Sequence, residues 1–122
     1  MIAENELQPK VFGLMSKYLF GMGIYPNVVG FHNLIDSVTC IVSNGFSEWN
    51  IGKVFKEIGK RAGKTASAVE KSIRLLITKC ENSGSINKLN EYFGYPVYWE
   101  DSAISASELV SLFASKLVIE LN

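Results

Sequence analysis

The clearest concentration of chemically active side chains is a run of basic residues between Lys53 and Lys79. This window holds eight Lys/Arg and two acids, a net charge of +6, whereas the rest of the chain holds four Lys/Arg and ten acids, a net charge of −6. Lysine and arginine bind phosphate groups, and arginine can also read guanine through two parallel hydrogen bonds. The pattern therefore predicts a polyanionic partner, although the formal net charge of the whole chain is zero.

Residue types needed for other kinds of chemistry are sparse. Cys40 and Cys80 lie 40 positions apart without a CxxC pair, and the single histidine, His32, has no catalytic constellation near it in the sequence. These spacings exclude the common zinc sites and favour reduced, buried thiols, with a disulfide as the alternative. The sequence also contains neither a phosphate-binding glycine loop nor a pair of catalytic carboxylates. We therefore predict that the protein is not an enzyme and has no metal or cofactor.

The composition is that of a globular chain. It has 122 residues, of which 48% are hydrophobic and 11% aromatic, enough to bury a core without disulfides or metal ions. The N-terminus carries acids where a signal peptide needs basic residues. The uncharged stretch 18–35 contains Pro26, Asn27 and three glycines, so it does not read as a membrane-spanning helix. We expect a cytoplasmic protein without a membrane partner.

Apolar residues recur at helical spacing along the chain and are interrupted by glycine and proline, which predicts one all-α domain over residues 1–122 with six helices. The expected helices cover about 7–20, 28–42, 50–61, 65–81, 86–93 and 106–120. Ser85 is a candidate N-cap for the short fifth helix, and Ser105 with Glu108 forms a capping box for the last one. Trp49 could staple the start of the third helix.

The third and fourth helices would be joined by three residues, Ala62-Gly63-Lys64, which is the spacing of a helix-turn-helix over about residues 50–81. Gly63 suits a left-handed turn, and Gly59 is small where the two helices would cross. Either Thr65 or a Ser67–Glu70 capping box would begin the fourth helix. When the apolar stripe of this helix packs inward, its opposite face presents residues that can reach DNA: Ser67, Ala68, Lys71, Arg74 and Thr78.

Four stretches of the sequence carry a resemblance to a known family: GIYPNVVGFHNLIDSV, KTASAVEKSIRLLI, NSGSINKLNEYFGY and SASELVSLFASKL. They resemble the C-terminal DNA-binding effector domain of the sporulation-initiation response regulator of endospore-forming bacteria. The resemblance extends over about residues 19–121, and TAS-x-VE-x-x-IR and FGY are its most specific parts. It implies a six-helix fold whose fourth helix reads a short DNA box of the TGTCGAA type, often as a head-to-tail homodimer on tandem boxes.

The resemblance also implies roles for individual residues of the fourth helix. The base-reading residues would be Ser67, Glu70, Lys71 and Arg74. Arg74 could pair with O6 and N7 of guanine, and Glu70 could accept a hydrogen bond from a cytosine amino group or only favour the helix dipole. Contacts to the DNA backbone are expected from residues around the turn and along both helices: Lys53, Lys56, Lys60, Lys64, Thr65 and Thr78.

A second surface is implied by the segment NSGSINKLNEYFGY, which corresponds to the part of the family that contacts RNA polymerase. The candidate partner residues in it are Asn82, Ser83, Lys88 and Glu91. The alternative interpretation is a packed short helix that places three aromatic residues in the core: Tyr92, Phe93 and Tyr95.

Three departures from the family weaken a simple transfer of its DNA contacts. Ala68 stands where the family has arginine, and Lys71 replaces a second arginine, which keeps the charge but loses the bidentate fork. Glu100 and Asp101 lie in a loop that carries lysine in the family, where they would repel nearby phosphates. A lost bidentate contact removes roughly 1–3 kcal/mol of base discrimination, so we expect weaker or altered DNA binding.

Two interpretations of the function are open. The first is a sequence-specific DNA-binding transcriptional regulator, which the basic window and Arg74 favour. The second is a protein-interaction module with weak DNA binding that modulates a full-length regulator by pairing with it, which Ala68 and the acidic loop favour. We prefer the first. Only about 18 residues precede the resembling region, too few for the receiver domain of the family, so we expect a fragment or a stand-alone paralogue.

Overall fold

Amphipathic helices separated by glycine-containing turns make up the fold. The structure is a computed structural model, and it describes residues 4–45, 50–99 and 102–121. Within these ranges there are six α-helices and one 3-10 turn but no strand, which confirms the predicted all-α class. The helices are α1 (Glu4–Gly21), α2 (Phe31–Asn44), α3 (Ile51–Ala62), α4 (Ala66–Ser83), α5 (Lys88–Phe93) and α6 (Ala106–Leu121). None of these helices is long and apolar enough to cross a membrane.

Helix α2 lies at the centre of the fold and packs against α1, α3, α4 and α6. It can do so because apolar or small residues occupy nearly its whole circumference, and Phe31, Leu34 and Val38 are completely buried. Its buried hydroxyls donate hydrogen bonds to carbonyls one turn earlier, as Thr39 does to Ile35 at 2.8 Å. The buried hydroxyls of α2 therefore have hydrogen-bond partners within the helix itself.

Helix α1 begins at Glu4, about one turn earlier than predicted. Leu7 and Val11 are buried, and Met15 and Leu19 continue the same stripe along the helix. The early start follows from this burial, because the spacing of four residues places all of these side chains on the face that packs against α2.

Helix α2 begins at Phe31 and not near Val28, so the predicted start was about one turn too early. Gly30 precedes the helix with φ 96°, a left-handed conformation that ends any helical path from the loop. A Cβ atom on Gly30 would also lie 2.8 Å from the carbonyl carbon of Ser72 in α4. The start of α2 is thus set by a close approach between its first turn and α4.

The predicted role of Ser85 as an N-cap was wrong. Ser85 begins a 3-10 turn over Ser85–Asn87, and Asn87 precedes α5 without a side-chain capping bond. The backbone N–H of Ser85 instead donates to the Ser83 hydroxyl at 3.3 Å. The turn forms because Gly84 adopts a left-handed conformation (φ 81°) at the end of α4.

Helix α6 begins with the predicted capping box. The Ser105 N–H donates to Glu108 Oε1 at 3.0 Å, and the Glu108 N–H donates to Ser105 Oγ at 3.1 Å. Further along, the Lys116 ammonium donates to the Tyr92 carbonyl at 2.7 Å and pairs with Glu120 at 3.1 Å. Glu120 also accepts a hydrogen bond from the Tyr18 hydroxyl, so this polar cluster joins α1, α5 and α6.

The aromatic residues of the fifth-helix segment are only partly in the core. Tyr92 and Phe93 are half-buried against it, whereas Tyr95 is 59% exposed, so its predicted core position was wrong. Gly94 turns the chain with φ 76° before Tyr95, which directs the following residues away from α5. The staple expected of Trp49 lies outside the described residues.

Candidate nucleic-acid interface

Helices α3 and α4 are joined by a short, fully capped turn. Asn50 caps α3 by accepting from the Lys53 N–H at 2.8 Å, and Gly63 ends it with the expected left-handed backbone (φ 68°, ψ 32°). Thr65 caps α4 by accepting from the Ala68 N–H at 3.1 Å, so the alternative capping box beginning at Ser67 is not used. A Cβ atom on Gly59 would lie 2.6 Å from the Lys64 carbonyl oxygen, so only glycine lets the turn pack this closely.

Helix α4 has one buried and one exposed face, divided as the sequence predicted. The buried stripe packs into the core and contains Val69, Ile73, Leu76, Ile77 and Cys80. The exposed residues recur at helical spacing and point away from the core: Ser67, Ala68, Lys71, Arg74 and Thr78. The geometry therefore provides an exposed, mainly polar face about three turns long, which also includes Leu75 (50% exposed) and is flanked by the α3–α4 turn.

The eight basic residues of the 53–79 window divide into two groups. The six lysines have no ion-pair partner in the part of the chain that the structure describes: Lys53, Lys56, Lys60, Lys64, Lys71 and Lys79. All six are exposed. By contrast, Arg61 and Arg74 both pair with carboxylates. The free positive charge of this surface is thus carried by lysines, which bind phosphate as point charges.

Arg61 is held by two acids and is not a free DNA-binding residue. Its Nη1 and Nη2 donate to the two carboxylate oxygens of Glu4 at 2.8 and 3.1 Å, and its Nε donates to Glu57 at 3.1 Å. The hydrogen bonds to Glu4 raise the pKa of Arg61 above its ordinary value. Sequence reasoning missed this contact because Glu4 and Arg61 are 57 positions apart. It ties the start of α1 to the end of α3.

Arg74 is paired within its own helix. Its Nε donates to Glu70 Oε1 at 2.8 Å, and the two side chains remain 61% and 41% exposed. The spacing of four residues, with the acid on the N-terminal side, could have indicated this pair from the sequence. The pairing brings together two of the four predicted base-reading residues.

The hydroxyl side chains that are predicted to contact DNA differ in whether they already donate a hydrogen bond within the protein. Thr65 Oγ1 accepts the capping bond, so its own proton remains available to a phosphate. Thr78 donates to the Arg74 carbonyl at 3.1 Å and would have to rotate before it could donate to DNA. Ser67 is exposed in the first turn of α4. Thr65 and Ser67 are therefore the better-placed hydroxyl donors.

The four candidate partner residues, Asn82, Ser83, Lys88 and Glu91, are all exposed. Three of them line a groove of about 510 Å³ between the loop 21–24 and the 3-10 turn: Ser83, Lys88 and Glu91. Asn82 lies outside this lining. Lys88 and Glu91 form an ion pair at 3.4 Å, so the groove combines both charges with the glycine-rich loop after α1. Glu100 and Asp101, the acids of the loop before the last helix, lie outside the described residues.

Cys40 and Cys80 are buried free thiols, as predicted. Burial raises the pKa of Cys40 to about 11 and that of Cys80 above its ordinary value. At pH 8 we expect Ellman's reagent to leave both thiols unmodified in the folded protein and to modify both in urea. Because Cys40 ionises more readily when unfolded, stability should also fall as the pH rises from about 9 towards 11.

The matched control for thiol labelling is Ser115→Cys, which places a thiol at an exposed position of α6. This thiol should react at once in the folded protein. Native Cys40 or Cys80 labelling at the rate of this control would show that the core around α2 and α4 opens readily.

The chain matches a model of a known protein family. The family model described as "Sporulation initiation factor Spo0A C terminal" matches residues 15–117, which include all of α2, α3, α4 and α5. The resemblance predicted from four sequence stretches is thereby confirmed. No solved structure matches the chain significantly.

Proposed function

From the premise that this chain belongs to the family of Spo0A C-terminal domains, we propose that it is a sequence-specific transcriptional regulator that places α4 in the major groove. The family makes the chain a DNA-binding effector domain of a sporulation regulator. The observation that supports placing α4 in the major groove is its exposed, mainly polar face beside a tightly capped turn. On this proposal, residues 50–81 act as the helix-turn-helix of one domain that includes all six helices.

The division between paired arginine and free lysines suggests two kinds of DNA contact. Arg74, with Ser67 and Lys71, faces the base edges, and guanine is the base that a guanidinium recognises best. The lysines of α3 and the turn hold phosphates of the backbone: Lys53, Lys56, Lys60 and Lys64. Phosphate contacts fix the position of α4 without reading sequence, so the specificity of the protein depends on few side chains.

We also propose partners for the two remaining surfaces. The DNA site is a box of the TGTCGAA type, and tandem boxes would be occupied by a homodimer. RNA polymerase would contact the groove residues Ser83, Lys88 and Glu91 together with Asn82. The mixed charge of this surface suits a polar protein contact better than a polyanion.

Fluorescence anisotropy with a duplex carrying two tandem boxes and a scrambled duplex, over a salt series, tests the proposal. We expect a preference of about a hundredfold or more for the boxes, below the upper range of specific regulators because Ala68 and Lys71 replace arginines. Lys56→Gln should weaken binding to both duplexes and reduce the salt slope by about 1. Lys17→Gln, which removes an exposed lysine of α1, is the matched control.

The outcomes separate the proposed mechanisms. Equal binding to both duplexes with a steep salt slope would show that the basic surface holds only backbone. Absence of binding at low salt would overturn the DNA-reading proposal for this chain.

A second candidate function is a protein-interaction module that binds DNA weakly and pairs with a full-length regulator. Two observations favour it: Ala68 leaves a short side chain on the exposed face of α4, and Arg61 is committed to carboxylates. Mixing this protein at low salt with a full-length family member and a duplex carrying the box distinguishes the two functions. An interaction module should alter the binding of a full-length family member to its box without binding the box itself.

A further inference from the structure

We propose that Glu70 is a positioning residue that orients Arg74 for the recognition of guanine. This inference rests on the proposed function, in which Arg74 reads a base. It differs from a direct role for Glu70, in which the carboxylate itself would accept a hydrogen bond from cytosine.

The geometry of the Glu70–Arg74 pair determines which edge of the guanidinium is free. Arg74 Nε donates to Glu70 Oε1 at 2.8 Å, which occupies the side edge of the guanidinium. Within the described residues, neither Nη1 nor Nη2 of Arg74 has another hydrogen-bond partner. These two terminal nitrogens form the fork that can donate in parallel to O6 and N7 of one guanine.

The pair matters little for the stability of the fold, because exposed ion pairs between residues four apart are weak. Its effect is on the position of a long and flexible side chain. An unpaired arginine on a DNA-facing surface can turn to the nearest phosphate, which binds it on any sequence. Glu70 opposes this in two ways: it fixes the Nε end of the guanidinium, and its negative charge disfavours nearby phosphates.

This mechanism predicts different effects of removing Glu70 on specific and on non-specific binding. Without Glu70, Arg74 keeps its charge and loses its fixed orientation. Preference for the box should therefore fall, while binding to a scrambled duplex stays the same or becomes tighter. A merely structural role for Glu70 would weaken both, and a direct contact with cytosine would weaken only the box.

A double-mutant cycle tests the proposal with the tandem-box and scrambled duplexes: Glu70→Ala, Arg74→Ala and both together. Glu70→Ala should reduce the preference for the box by about fivefold or more, part of the roughly 5- to 150-fold that one bidentate contact supplies. In the Arg74→Ala background it should reduce the preference no further. Glu81→Ala, which removes an acid from the same helix away from Arg74, should change binding to both duplexes alike.

Three results would overturn the proposal, and each has a different meaning. If Glu70→Ala reduces the preference equally in the Arg74→Ala background, Glu70 contacts DNA directly. If Glu70→Ala leaves the preference unchanged, the pair has no part in recognition. If Arg74→Ala itself leaves the preference unchanged while the wild-type protein prefers the box, the assignment of Arg74 also fails. A wild-type protein without any preference would overturn the proposed function first.

Discussion

Replacing Gly30 with alanine is expected to lower the free energy of unfolding by about 2–5 kcal/mol. Two costs combine. The backbone of Gly30 has φ 96°, which an L-residue adopts only with strain, and the new Cβ would press on the backbone of α4 at Ser72 and Ile73. Neither neighbour can rotate away because both contacts are with main-chain atoms. Urea denaturation followed by circular dichroism at 222 nm measures the effect.

The control for Gly30→Ala is Gly13→Ala. Gly13 lies inside α1, and a Cβ atom added there would have no neighbour within 4 Å. Alanine should therefore stabilise the protein, by about 0.5–1 kcal/mol, because it favours the helix over the unfolded chain. A Gly30→Ala protein as stable as the wild type would mean that α2 and α4 can separate at this point without cost.

Replacing Arg74 with alanine is expected to remove most of the preference for the box, by about 5- to 150-fold, without a comparable loss of stability. The guanidinium is exposed in the free protein, and its one ion-pair partner among the described residues is Glu70, so the fold depends little on it. In the proposed complex it supplies the only arginine on the exposed face of α4. Anisotropy titrations on both duplexes, with thermal unfolding of the same samples, measure the two effects.

Two variants show whether the loss comes from the fork or only from the charge. Arg74→Lys keeps the charge without the bidentate geometry, so it should lose most of the preference while binding the scrambled duplex as before. Lys79→Ala removes a charge from another face of α4 and should affect both duplexes alike. Unchanged preference in Arg74→Lys would show that the fork is not used.

Features governed by nearby residues could be predicted from the sequence. The Ser105–Glu108 capping box and the Thr65 cap involve residues three positions apart, and Gly63 turns the chain through its own backbone freedom. The stripe of α4 repeats every three or four residues, so its buried and exposed faces were also predicted. The Glu70–Arg74 pair follows the same local rule and could have been inferred.

Features set by distant parts of the chain were not predictable in the same way. The start of α2 depends on how closely Gly30 approaches α4, which no local pattern records. The contact between Arg61 and Glu4 joins residues 57 positions apart, so no local pattern could indicate it. Tyr95 is apolar enough for a core but follows a glycine turn, so chain direction and not hydrophobicity decided its exposure.

The early start of α1 bears on where the folding unit begins. The family match starts at residue 15, yet Leu7 and Val11 are already buried and Glu4 already holds Arg61. A domain trimmed to the matched region would lose two core side chains, exposing part of α2. It would also remove the Glu4 carboxylate from Arg61, which would keep only its bond to Glu57, and so take a negative charge away from the end of α3. We therefore expect a protein trimmed at this boundary to be less stable and to bind DNA less selectively.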